Sequence, residues 1–117
     1  MTEDFRSLKL LSDIQESIRT IESLTQADGF SFGDADRVPR LAIERSFEII
    51  GITLTRLERH RPKIVAGIAK YPVILAFRNR IAHGYFDDLD SEIFDEVIRD
   101  HLPILHQEVT ERLADLG

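Results

Sequence analysis

The sequence predicts an all-α fold: a bundle of four main helices plus one short helix, in a single domain over residues 1–117. Three observations lead there. Apolar residues recur at spacings of three and four over long stretches, the period of a helix with one buried face. No stretch alternates apolar and polar residues as a half-buried strand does. Most prolines and glycines fall where these stretches start or stop.

The first helix spans about 3–26, with Phe5, Leu8, Leu11, Ile14, Ile18, Ile21 and Leu24 on its apolar stripe. DGFSFGDADR, residues 28–37, reads as a loop that ends on Asp36, a candidate N-cap. The second helix covers about 37–59 and buries Ile43, Phe47, Ile50, Leu54 and Leu57. Pro39 fits its first turn, where no N–H is needed. Gly51 lies in its interior at a cost of about 1 kcal/mol relative to alanine, which close approach of a neighbouring helix would explain. Arg61-Pro62 ends the pattern, and 63–69 allows one short helical piece. A further helix starts near Pro72 and runs to about 83, where Gly84 can stop it. Asp90 or Ser91 can cap the last helix, about 91–115, whose expected core is Phe94, Val97, Ile98, Ile104, Leu105, Val109 and Leu113. Pro103 is expected to kink it.

Composition narrows the chemistry. There is no cysteine, hence no disulfide, thiolate metal site or cysteine nucleophile. No apolar run approaches the ~18 residues of a membrane span, and MTEDFRSLK has neither the charge order nor the apolar core of a signal peptide. The expected location is the cytoplasm. The net charge of −6 is unevenly spread: −5 over residues 1–36, +7 over 37–80 and −8 over 81–117. A basic middle third can bind an anion locally even in an acidic protein.

RNRIAHGYF, residues 78–86, is the densest polar cluster and follows the apolar run 71–77 directly. At 100° per residue, with Arg78 at 0°, Val73, Ile74, Phe77 and Ile81 fall at about 220–320° and form the core face. Asn79, His83 and Arg80 fall at about 100°, 140° and 200°, on the opposite face, and Arg78 lies on the border. Asn79 and His83 are i,i+4 neighbours. Two guanidinium forks suit a phosphate, and an imidazole can move a proton near neutral pH. Spacing alone leaves two readings, an anion pocket and a patch facing another subunit. The four histidines, His60, His83, His101 and His106, show no metal-binding helical motif. Phosphate-loop and nucleophile-elbow patterns are absent. Asp87, Asp88 and Asp90 read as helix capping and solvation, and no cofactor is expected.

Arg78, four residues, His83, one residue, Tyr85, with Asn79 after the arginine, resembles the signature of HEPN-domain toxins, and more narrowly of HepT-like toxins encoded beside a minimal nucleotidyltransferase (MNT) antitoxin. Phe47-Glu48-Ile49-Ile50-Gly51, Asn79 through Phe86, and Asp100-His101-Leu102-Pro103-Ile104-Leu105 are similar to segments of that family, so the likeness runs through most of the chain. Ile52-Thr53 and Lys70-Tyr71 depart from it. The resemblance implies a helical bundle, a homodimer with the two motifs facing each other, and metal-independent RNA cleavage. Arg78 and His83 would be catalytic, with Asn79 in support; the guanidinium of Arg80 is the candidate for the RNA phosphate by its own chemistry. Tyr85 would receive AMP from the antitoxin, which switches the toxin off. A different reading makes the protein a non-catalytic nucleotide- or substrate-binding subunit of a nucleotidyltransferase, and a third makes it a structural interaction module. One suitable histidine per chain and a polar face turned from the core favour pairing of two chains.

Overall fold

Leu11, Ile14, Ile18 and Ile21, each spaced three or four apart, are fully buried along one side of α1 (Phe5–Leu24), against the equally buried Ile43, Phe47, Ile50, Leu54 and Leu57 of α2 (Arg37–His60). Each such side chain contributes about 1.5–3 kcal/mol by leaving water. This computed structural model describes residues 4–83 and 88–117, with the backbone only at 82, 83 and 88–90. After α2 come the short α3 (Pro62–Val65), α4 (Tyr71–His83), α5 (Asp88–Glu96), a π turn at Val97–His101 and α6 (Leu102–Leu116). Since α5, the π turn and α6 follow without a break, the main helices are four, and the described residues form no strand.

The helices run antiparallel to their neighbours. Asp4 at the start of α1 meets Arg61 at the end of α2 at 2.8 Å. Gln15 and Glu22 of α1 bond Thr110 and His106 of α6 at 3.2 and 3.0 Å. Tyr71 at the start of α4 donates to Glu58 near the end of α2 at 3.3 Å. The core between α2, α4 and α5 is aromatic: Phe77 stands edge-on to Phe47 and Phe94, with ring centroids 4.9 and 4.8 Å apart. Phe32, from a 3₁₀ turn at Phe32–Asp34 in the α1–α2 connection, stacks on Phe94 at 3.9 Å, and its N–H donates to Asp95. The connection expected to be only a loop therefore adds a plug to the core.

Several expectations need correction. Phe5 is 69% exposed, because the first turn of α1 is taken up by polar contacts of Asp4 with Arg61 and Ser7. Asp36 holds the N-cap position of α2, but its side chain makes no capping bond. The last helix begins at Asp88, so Asp90 and Ser91 lie inside it rather than capping it. Its apolar phase also shifts. The N–H of Leu102 bonds the Val97 carbonyl, five residues back, and this wider turn makes room for Pro103, which has no N–H and whose ring would crowd the Arg99 carbonyl. The buried positions then step from Val97 to Leu102, Leu105 and Val109, and Ile104 is left 44% exposed.

Candidate active site

α4 carries the cluster, and two contacts fix it. At its start, the backbone N–H groups of Ala69 and Lys70 donate to the Glu108 carboxylate of α6 at 2.7 and 3.1 Å. An anion there suits the positive end of a helix. One turn further along α6, Arg112 donates to the Gly67 carbonyl at 2.9 Å. Replacing Glu108 with alanine is expected to cost about 1 kcal/mol, the usual loss for a helix-capping acceptor. The checks are a lower melting temperature and faster amide exchange at Ala69 and Lys70, with Glu108→Gln intermediate.

In its middle, α4 crosses α2 at Gly51. A Cβ built on Gly51 would lie 2.7 Å from Cγ and 2.9 Å from Cβ of Arg78, so the glycine is the recess that receives the arginine stem. The close helix approach expected at Gly51 is thus with α4, at Arg78. The guanidinium is held half-buried: its Nε has no acceptor among the described residues, while Nη1 reaches Asn79 Oδ1 at 3.5 Å. A buried donor without a partner is costly, so Arg78 is held here at the expense of that bond.

Ile74 and Phe77 are buried, and Val73 and Ile81 half-buried, as the helical phase requires; Asn79 and Arg80 are exposed on the far side. α4 extends through His83, so the i,i+4 relation of Asn79 and His83 stands on the backbone, although the His83 side chain lies outside the described residues. Tyr85, with Gly84, Phe86 and Asp87, lies outside them as well.

Asn79 and Arg80 edge a groove between α4 and the α5–π segment, floored by Val73, Phe77, Ile93 and Val97, with Glu96 and His101 on the opposite rim. His101 Nδ1 is 3.0 Å from Lys70 Nζ. Its neighbour Asp100 is held below the ordinary carboxylate range by paired hydrogen bonds from Arg99, both 2.9 Å, and so stays charged. In the sequence His101 lies outside any metal motif and within the Asp100–Leu105 stretch that resembles the family. A single chain therefore brings one imidazole, that of His101, to the groove that Asn79 and Arg80 edge. The signal for it is the π turn, which spacing does not reveal.

The family profile described as Ribonuclease HepT-like matches residues 14–112. The chain belongs to the HepT-like ribonuclease family. The match takes in Gly51, the whole of α4 and the α5–α6 helix up to Arg112, and thus both sides of the recess that seats Arg78. No curated protein and no solved structure matches the chain. RNA is the substrate class that membership in this ribonuclease family implies. Among the described residues no helix is long and apolar enough to cross a membrane.

Proposed function

We propose that this HepT-like protein is the toxin of a HEPN/MNT toxin–antitoxin pair, a metal-independent RNA endonuclease of the cytoplasm whose site is built from Arg78, Asn79 and His83, with Arg80 on the RNA phosphate. The observation that carries the reading is the Gly51 recess, which seats Arg78 with an unsatisfied guanidinium donor on the helix that ends at His83. RNA brings its own nucleophile, the 2′-OH. Cleavage then needs a base to take that proton, an acid for the 5′-oxygen leaving group, and cations around the pentacoordinate phosphate, all of which imidazole and guanidinium can supply. Attack by the 2′-oxygen leaves a 2′,3′-cyclic phosphate. Two chains facing each other would double the set of groups, and homodimerisation belongs to the proposal.

The test is RNA incubated with purified, unmodified protein in excess EDTA. Cleavage with cyclic phosphate ends is expected. Nucleotide binding without any cleavage would favour the non-catalytic subunit instead. Tyr85 is proposed as the regulatory switch: AMP attached there by a nucleotidyltransferase antitoxin adds a negative charge two residues from His83, in competition with the RNA phosphate. Co-expression with that antitoxin is expected to add the mass of one or more adenylyl groups, and Tyr85→Phe should remain active and unmodified. Suppressed cleavage with Tyr85 unmodified would show inhibition by binding alone.

A further inference from the structure

A second cationic site lies at the opposite end of α2 from its N-cap, away from the α4 motif. Arg6 of α1 and Arg56, Arg59 and His60 of α2 line one pocket. Helix electrostatics accounts for part of this, because cations are favoured in the last turn of a helix, where Arg59 and His60 stand. It does not account for Arg6, which sits in the first turn of α1, the end that disfavours a cation. It does not bring four such groups together either. Among the described residues, no carboxylate pairs with Arg6, Arg56 or Arg59. The nearby Asp4 is engaged by Arg61 at 2.8 Å and by the Ser7 hydroxyl, and stands 3.8 Å from His60 Nε2, which has no hydrogen-bond partner. In a protein of net charge −6, three guanidinium groups thus cluster with no ion pair to a carboxylate among the described residues.

We infer that this pocket binds backbone phosphates of the RNA, to one side of the cleavage point. The inference rests on the proposed ribonuclease function for its ligand, but the cluster itself does not depend on that reading. Gly51, which seats Arg78, is five residues before Arg56 and eight before Arg59 on the same helix. At 1.5 Å per residue these offsets are about 7.5 and 12 Å along the axis. A stacked strand rises ~3.4 Å per nucleotide, so the axial offset alone separates the cluster from the Arg78 recess by roughly two to four nucleotides, and the turn around the helix adds to it. Arg59 and Arg56 are turned by about 80° and 140° from Gly51, away from the buried stripe. Guanidinium forks suit phosphate oxygens, which carry no sequence information, so the pocket sets affinity and strand direction rather than sequence preference.

The test uses a fluorescent oligoribonucleotide with 2′-O-methyl sugars, which lacks the attacking hydroxyl, and follows binding to the full chain by anisotropy as salt is varied. Arg56→Ala/Arg59→Ala is expected to weaken binding at least tenfold and to lower the slope of log K against log salt by about 1.4, at ~0.7 per lost phosphate contact on a single strand. Arg56→Lys/Arg59→Lys should retain most of that slope. A dinucleotide too short to reach the pocket should be cleaved equally by the alanine variant and wild type. Unchanged affinity and slope in the alanine variant, with its melting curve intact, would overturn the inference even if RNA is cleaved normally. Absence of cleavage by wild type would instead remove the ribonuclease reading, while the anisotropy still tests the pocket. Equal binding of poly-glutamate and the oligonucleotide would assign the cluster to an acidic protein partner and overturn the RNA assignment.

Discussion

Replacing His83 with alanine is expected to reduce RNA cleavage by about 10²–10⁴-fold, the usual loss for a general acid–base group, while leaving the melting temperature close to wild type. The fold should survive because Ile74 and Phe77 supply buried contacts that hold α4 in the core. Arg78→Lys should be impaired nearly as much. An ammonium can occupy the stem's path over Gly51 but cannot present the paired donors of a guanidinium to a phosphate. The measurement is single-turnover cleavage of a labelled RNA at fixed pH, with circular dichroism to verify folding. A His83→Ala protein that cleaves at the wild-type rate would remove the histidine from the mechanism.

Gly51→Ala is the second change with a large expected effect, and its interest is that two energies oppose. Alanine in a helix interior gains about 1 kcal/mol over glycine, whereas forcing an extra methyl into a packed contact costs about 1–3 kcal/mol. The neighbours that the methyl meets are Cβ and Cγ of Arg78, the near end of the side chain, which cannot move without moving α4 or changing rotamer. Stability should therefore change little or fall slightly, while cleavage falls by ~10²-fold, the scale of a 1 Å misplacement of a catalytic group. Near-normal melting with crippled activity is the expected signature. Wild-type cleavage in Gly51→Ala would mean that the position of Arg78 over α2 is immaterial to the reaction.

The helices were legible in the sequence because their buried faces repeat at a helical period; α2 shows this most clearly, with all five of its expected core residues buried. Gly51 was legible as a close approach because a glycine in a helix interior has a cost that something must offset. What periodicity could not show were contacts made by other elements. Glu108 caps the start of α4 from 38 residues downstream, and nothing local marks it as a cap. Phe32 looked like a loop residue among aspartates and glycines, yet it fills the core beside Phe94. Ile104 was misassigned because a constant period does not hold across the π turn at Val97–His101. Of the motif itself, the order of groups along α4 was legible, and the structure adds the seat for Arg78.

The π turn at Val97–His101 has a consequence for how this chain tolerates change. Upstream of it, α5 meets Phe32 and α4; downstream, Glu108 and Arg112 of α6 hold residues 67–70 at the start of α4. Both ends of one continuous helix thus act on the same short helix, and one surplus residue sets the angle between their two grips. Losing it would swing every α6 side chain by about 100°, carrying Glu108 and Arg112 off their partners whatever residues flank the gap. The chain here stores its instruction as a number of residues rather than as their identities, so this stretch should drift readily by substitution and resist any change of length.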